Sequence, residues 1–131
     1  MSAGGILVVD DDAELRECLR LMLTSMGFSV TSAANGQEAL DGMEGHDPDL
    51  ILLDMKMPVM NGWEFCHALE GRRSRPPIVV LTAAPDPAGR AAEVHAEGWL
   101  GKPFEYADLE AIVRRFAAGL RDDLGANQDP C

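Results

Sequence analysis

The chain has 131 residues, of which 47 % are hydrophobic and 25 % are charged, and its net charge at pH 7 is −11. This composition is typical of one globular domain, and the negative charge argues against a surface that binds nucleic acid or an anionic membrane. No apolar stretch approaches the roughly 18 residues of a membrane span, and the first residues lack the pattern of a secretion signal.

The first predicted elements are a buried strand and an amphipathic helix. Four aliphatic residues over 6–9 predict a strand that is buried on both faces, as in a parallel sheet. The strand leads into three aspartates over 10–12, and apolar residues at intervals of three and four predict a helix over 12–26. Asp11 and Glu14 resemble a capping box at the start of this helix.

The rest of the chain repeats this pattern of strand and helix. Strand signals recur in "FSVTSA", "HDPDLILLD", "RPPIVVLTA" and "WLG", and a helical pattern follows each of them. The second and third continuous apolar runs end in Asp54 and Thr82, and Lys102 follows the last brief strand. We expect one domain over 5–120, followed by a polar, flexible C-terminal tail over 121–131.

Alternating strands and helices predict an α/β fold, a doubly wound five-stranded parallel sheet with helices on both faces. In such sheets, ligands bind at the carboxyl ends of the strands. The residues that follow the apolar strands therefore share one edge of the sheet, and they are Asp10, Asp11, Asp54, Thr82 and Lys102. Lysine is rare in this chain, with Lys56 and Lys102 against nine arginines, which makes a lysine at this edge a candidate functional residue.

The acidic residues at this edge suit a divalent cation. Two carboxylates about 4 Å apart repel each other by roughly 4 kcal/mol at an effective dielectric of about 20, so such a cluster takes up protons or binds a cation. Sites made of carboxylate oxygens suit Mg²⁺, which often bridges to phosphate, and a carboxylate beside Mg²⁺ and a lysine can attack phosphorus. Singly, each residue also has a structural interpretation: Asp11 and Asp12 as acids at a helix start, Thr82 as a strand end, and Lys102 as a surface cation.

The stretches "ILVVDDD", "PDLILLDMKMPVMNG", "IVVLTAA" and "WLGKPF" together resemble the receiver domain of response regulators in two-component signal transduction. The resemblance covers residues 5–120 and implies a flavodoxin-like fold with strand order 2-1-3-4-5 and a cis Lys102–Pro103 bond. It also implies the following roles: Asp54 as phosphoacceptor; Asp10, Asp11, Asp54 and the backbone carbonyl of Lys56 as Mg²⁺ ligands; Lys102 as the cation that pairs with the phosphate; and Thr82 and Trp99 as the switch residues.

This sequence departs from the family pattern near the site. Trp99 stands where Tyr, Phe or His is more familiar, Lys56 stands where smaller polar groups are common, and Ala84 offers no polar group. The resemblance implies that the positions of Lys56 and Ala84 tune autodephosphorylation, so the lifetime of the phosphorylated state stays open. The segment between Thr82 and Lys102 is slightly shorter than usual, which predicts an abbreviated fourth helix.

The resemblance implies a phosphoacceptor, not an enzyme in the usual sense, with autophosphatase activity left open. A histidine kinase or phosphotransfer protein would donate the phosphoryl group, with Mg²⁺, and the domain would control a downstream protein target. We expect a monomer or weak dimer that binds neither nucleic acid nor membrane. Three cysteines without C-x-x-C spacing predict a cytoplasmic chain.

Two alternative functions stay open. One is a binding-only pseudo-receiver. The other is a haloacid-dehalogenase-type phosphatase, which requires an acidic residue at the position where this chain has Lys56.

Overall fold

The five strands form one parallel sheet. The computed structural model describes residues 5–45, 47–72 and 75–125, with side chains up to residue 116. The strands are β1 (Gly5–Val9), β2 (Ser29–Ala33), β3 (Leu50–Asp54), β4 (Ile78–Thr82) and β5 (Gly98–Gly101). Their order across the sheet is β2-β1-β3-β4-β5, and all neighbouring pairs are parallel. The strand order 2-1-3-4-5 and the doubly wound α/β fold are therefore confirmed.

In the described part of the chain, four helices connect the strands and a fifth follows β5, and together they cover both faces of the sheet. They are α1 (Ala13–Ser25), α2 (Gly36–Gly42), α3 (Gly62–Leu69), α4 (Pro87–Glu93) and α5 (Tyr106–Gly125). Helix α4 has only seven residues, in keeping with the abbreviated fourth helix that the sequence predicts. The described residues contain no helix whose length and hydrophobicity would let it span a bilayer.

The central strands are buried because they are apolar on both faces. Successive residues of a strand point to opposite faces, so Leu7 and Val9 join one core cluster while Ile6 and Val8 join the other. The first cluster includes buried side chains of α2, α3 and α4, and the second includes buried side chains of α1 and α5. All residues of β3 and β4 are buried, so these close-packed strands hold their carboxyl-terminal residues at fixed positions along one edge.

The start of α1 differs from the sequence-based prediction. Its N-cap is Asp12, whose carboxylate accepts the backbone N–H groups of Glu14 and Leu15 at 3.0 and 3.2 Å. The predicted capping box of Asp11 and Glu14 is therefore wrong. The reason is geometric: an N-cap side chain reaches the second and third N–H groups of the helix, and Asp11 lies one residue too far upstream.

The end of α5 also differs from the prediction. The helix continues to Gly125, so residues 121–125 of the predicted tail are helical. Residues 121–124 contain neither Gly nor Pro, so this stretch holds no stop signal before Gly125. The remainder of the predicted tail, over 126–131 and including Cys131, lies outside the described residues.

Candidate functional site

Three aspartates meet at the carboxyl-terminal edge of the sheet. Strands β1 and β3 are neighbours, and Val9 pairs with Leu53, so the next residues, Asp10 and Asp54, lie side by side. Asp11 follows in the turn toward α1, and one carboxylate oxygen from each aspartate lies within 4.8 Å of the other two. Asp10 is fully buried, Asp54 is 8 % exposed, and Asp11 is exposed. The predicted carboxylates therefore form one cluster.

Asp10 is held by four hydrogen bonds. Its backbone N–H donates to the carbonyl oxygen of Ala33 at 3.1 Å, and its carbonyl oxygen accepts from Nη1 of Arg16 at 2.7 Å. Its carboxylate accepts from the backbone N–H of Asp12 through Oδ1 and from Nζ of Lys102 through Oδ2, both at 2.9 Å. Every polar group of this buried residue has a partner, so the position of its carboxylate is fixed.

Lys102 places a positive charge against two of the aspartates. Its backbone N–H donates to the carbonyl oxygen of Thr82 at 2.8 Å, which ties the segment after β5 to the end of β4. Its Nζ lies 2.9 Å from Oδ2 of Asp10 and 3.6 Å from Oδ1 of Asp54. Burial alone would lower the pKa of Lys102, but its contacts with Asp10 and Asp54 outweigh burial and raise the pKa. The bond from Lys102 to Pro103 is cis, as the resemblance implies.

The surroundings of Asp54 oppose its ionisation. Burial is the largest cause, and the negative charge of Asp10 adds to it, so that the pKa of Asp54 rises from 3.8 to about 6. The charge of Lys102 and a hydrogen bond from the backbone N–H of Lys56 lower this pKa, and Asp11 makes a smaller upward contribution. The site therefore holds more negative charge than Lys102 neutralises, and a second cation would stabilise it.

The ligand atoms of this cluster fit a small, hard divalent cation. All three side chains offer carboxylate oxygens, which Mg²⁺ prefers, and the exposure of Asp11 leaves room for the water molecules that Mg²⁺ retains. The cluster consists of aspartates alone, whereas a zinc site would use Cys or His ligands. Asp10, Asp11 and Asp54 are thus the residues that could hold Mg²⁺.

The other predicted residues lie on neighbouring segments. Thr82 ends β4, is 7 % exposed, and its hydroxyl oxygen accepts from the backbone N–H of Ala84 at 3.0 Å. Trp99 lies in the adjacent strand β5 and is 48 % exposed. Lys56 is exposed, and its contact with Asp54 is made by its backbone N–H. The described geometry therefore brings the backbone of Lys56 to the cluster and leaves the ring of Trp99 partly in solvent.

Arg16 contacts this site but was missed in the sequence. It lies in the first turn of α1, and its guanidinium group binds the carbonyl oxygen of Asp10. The sequence holds nine arginines, and no spacing rule singles out the one that comes six positions after Asp10. In the sequence, Arg16 is distinguished only by its position in the first helix turn after the acidic triplet.

Known proteins resemble this chain in sequence. The sequence profile of the family described as "Response regulator receiver domain" matches residues 6–114. Response regulator MprA of Mycolicibacterium vanbaalenii is 40 % identical over 125 residues, which cover 94 % of this chain and 54 % of MprA. The chain thus spans about half the length of the curated relatives it matches.

Solved structures share the fold. The chemotaxis response regulator CheY4 of Vibrio cholerae has a TM-score of 0.80 and 34 % identity to this chain, over 88 % of the chain and 99 % of CheY4. The receiver domain of the sensor histidine kinase PA1611 from Pseudomonas aeruginosa has a TM-score of 0.81 and 30 % identity, over 89 % of this chain and 99 % of its own. That receiver domain has a magnesium ion coordinated in its active site cleft.

Proposed function

The chain belongs to the family of response regulator receiver domains, and from this premise we propose that it accepts a phosphoryl group on Asp54 and then acts on a downstream protein. The proposed donor is a phosphohistidine of a histidine kinase or of a phosphotransfer protein. The observation that carries the proposal is the cluster of Asp10, Asp11 and Asp54, with Nζ of Lys102 at 2.9 Å from Asp10 and 3.6 Å from Asp54.

Asp54 is the proposed nucleophile. With a pKa of about 6 its carboxylate is mostly ionised at neutral pH, whereas Asp10 is fully buried and has both carboxylate oxygens hydrogen-bonded. An oxygen of Asp54 would form the new bond to phosphorus while the bond from phosphorus to the imidazole nitrogen of the donor breaks. The imidazole nitrogen keeps the electron pair of that bond and takes up a proton. Lys102 would offset the negative charge on the phosphoryl oxygens.

Mg²⁺ is the proposed metal. Asp10, Asp11 and Asp54 would hold it through carboxylate oxygens, with the backbone carbonyl of Lys56 as a further ligand. When bound, Mg²⁺ would polarise the phosphoryl group and neutralise part of its negative charge. The magnesium ion in the related PA1611 receiver domain supports this assignment, as does the raised pKa of Asp54.

The proposed partners are proteins. A target protein would bind one of two conformations of the domain, and we assign the conformational response to Thr82 and Trp99. The net charge of −11 supports a protein target over a nucleic acid, because phosphate binding needs clustered basic residues. The free thiols of Cys18 and Cys66 support a reducing, cytoplasmic location.

Replacing Asp54 by Asn tests the proposal directly. The wild-type chain incubated with acetyl phosphate and Mg²⁺ should gain the mass of one phosphoryl group, and EDTA should prevent this gain. Asp54→Asn should gain none, because a neutral amide is a poor nucleophile. The matched control is Asp41→Asn, which changes an exposed aspartate of α2 and should be labelled like the wild type. Intact-protein mass spectrometry measures all three chains.

Each other outcome identifies a different function. Full labelling of a folded Asp54→Asn variant would mean that another residue is the acceptor. A wild-type chain that takes up no phosphoryl group would favour the pseudo-receiver. Release of many phosphate molecules per protein from phosphate esters would favour a haloacid-dehalogenase-type phosphatase.

A further inference from the structure

The guanidinium group of Arg16 binds the backbone of the acidic cluster. Arg16 is half-buried in the first turn of α1, and its Nη1 donates to the carbonyl oxygen of Asp10 at 2.7 Å. Five other arginines of the described residues form ion pairs with carboxylates. Arg16 has no carboxylate of the described residues within ion-pair distance. Its contact with a carbonyl oxygen therefore indicates a role in holding the backbone.

The peptide unit between Asp10 and Asp11 is held from two sides. Arg16 binds the carbonyl oxygen of this unit. The carboxylate of Asp10 accepts the backbone N–H of Asp12, just downstream of the unit, at 2.9 Å. Upstream, the N–H of Asp10 is bound to the carbonyl oxygen of Ala33 in β2 at 3.1 Å. Asp11 is exposed, so the direction of its side chain depends on this peptide unit. This peptide unit thus joins the fixed carboxylate of Asp10 to the exposed carboxylate of Asp11.

We infer that Arg16 is a positioning residue for the acidic pair that binds Mg²⁺. This inference rests on the proposed function and adds a residue to it. The three carboxylates of the cluster repel one another. Without Arg16 the carbonyl oxygen of Asp10 loses its partner, so this repulsion can turn the peptide unit between Asp10 and Asp11 and move the exposed carboxylate of Asp11 away from the other two. Binding of Mg²⁺ would then have to bring them together again. Arg16 therefore strengthens Mg²⁺ binding although it is itself positively charged.

A purely electrostatic effect of Arg16 would have the opposite sign. A positive charge near three carboxylates weakens the attraction of the site for a second cation, so removing that charge would tighten Mg²⁺ binding. Removing a positioning residue weakens Mg²⁺ binding. The sign of the change in affinity therefore distinguishes the two roles.

Titration of the intact chain with Mg²⁺ alone, by isothermal titration calorimetry, tests the inference. Arg16→Met should weaken binding by about tenfold, at the lower end of the roughly 10–100-fold loss that is typical when a residue that orients a metal ligand is removed. The matched control is Arg20→Met, which removes the same charge from an exposed residue one turn further along α1 and should leave the affinity unchanged. Arg16→Lys retains a positive hydrogen-bond donor and should recover part of the affinity.

Phosphorylation by acetyl phosphate provides a second measurement. Arg16→Met should raise the Mg²⁺ concentration at half-maximal rate by about tenfold, while the rate at saturating Mg²⁺ stays near the wild-type rate. Unchanged or tighter Mg²⁺ binding by Arg16→Met would overturn the role of Arg16 alone. A wild-type chain that binds no Mg²⁺ would overturn the proposed metal chemistry as well. If Arg16→Met does not fold, Arg16→Gln compared with Arg20→Gln has the same expected and overturning results.

Discussion

Asp54 must meet two requirements that conflict. As the proposed nucleophile it has to be ionised, but burial and the charge of Asp10 disfavour the ionised form and raise its pKa to about 6. At neutral pH the metal-free chain therefore carries a destabilising charge at a buried position. The same charge attracts a cation. The buried negative charge of Asp54 thus lowers the stability of the metal-free fold and also contributes to the proposed affinity for Mg²⁺.

The stability of the metal-free protein should therefore depend on pH. Folded Asp54 keeps its proton up to about pH 6, whereas the unfolded chain loses it near the ordinary pKa of 3.8. Between these pH values the folded state binds more protons, so the free energy of unfolding should fall as pH rises, by up to about 3 kcal/mol, and stay low above pH 6. Urea unfolding in EDTA at a series of pH values measures this change.

Two variants isolate the contribution of Asp54 to this pH dependence. Asp54→Asn should lack it and should be more stable than the wild type at neutral pH. Glu44→Gln changes an exposed carboxylate in the turn after α2 and should keep the wild-type pH dependence. If Asp54→Asn and the wild type lose stability equally as pH rises to about 6, another group is responsible.

The site residues that could be predicted from the sequence are those with a distinctive position along the chain. Asp10, Asp54 and Thr82 each end a continuous apolar run, and in a parallel sheet such ends share one edge. Lys102 was identified by its rarity and its place after the last strand. Arg16 could not be predicted, because its partner is a backbone carbonyl, and a sequence does not show which buried carbonyl groups lack a partner in the sheet.

Among the helices, α4 is held mainly at its C-terminal end. It has seven residues and one buried side chain, Ala91, so apolar packing contributes little to its position. Arg75, which precedes β4, donates to the carbonyl oxygens of Val94 and His95 at 3.3 and 2.7 Å, and it pairs with Glu97 at 3.1 Å. The guanidinium group thus binds the carbonyl groups of the C-cap residue Val94 and of the residue after it, near the negative end of the helix dipole.

Arg75→Met should loosen this end of α4. The side chain of Arg75 is 21 % exposed, and losing its bonds to the carbonyl groups should lower the free energy of unfolding by about 1–2 kcal/mol. Hydrogen exchange should become faster for the N–H groups of Val94 and Ala96, both of which donate to the carbonyl oxygen of Ala91. Arg20→Met, which removes an exposed cation from α1, should change neither quantity. Equal results for the two variants would mean that the bonds of Arg75 do not hold this end of α4.

Strands and helices were predicted better than their ends. Most elements carry either a continuous apolar run or an apolar period, and this pattern is present in the sequence itself. At the start of α1, three consecutive aspartates could each serve as the N-cap, and the choice of Asp12 depends on the folded turn, in which Asp10 accepts the N–H of Asp12. The extension of α5 to Gly125 is not evident from the sequence, because the charged residues over 121–123 suit a helix and a tail equally well.

Across the whole molecule, β4 ends at the proposed site in Thr82 and pairs with β5, where Val80 lies opposite Trp99. Thr82 ends this strand, and its carbonyl oxygen accepts the backbone N–H of Lys102 at 2.8 Å. Its hydroxyl oxygen accepts the N–H of Ala84 at 3.0 Å, in the segment that leads to α4. A signalling domain needs groups that differ between two states, and we propose that these groups are the hydroxyl of Thr82 and the ring of Trp99.

Beryllofluoride with Mg²⁺ mimics the phosphoryl group and should reveal this change. The hydroxyl of Thr82 should leave the N–H of Ala84, and Trp99 should turn inward, which shifts its fluorescence to shorter wavelength because the indole leaves water. Thr82→Ala should reduce the shift. Trp99→Phe should remove most of the shift, because the indole N–H of the other tryptophan, Trp63, is held by Glu93 at 2.8 Å.

An equal shift in Trp99→Phe would assign the signal to Trp63 instead. Identical wild-type spectra with and without beryllofluoride, despite binding measured by calorimetry, would mean that the chain signals without moving Trp99.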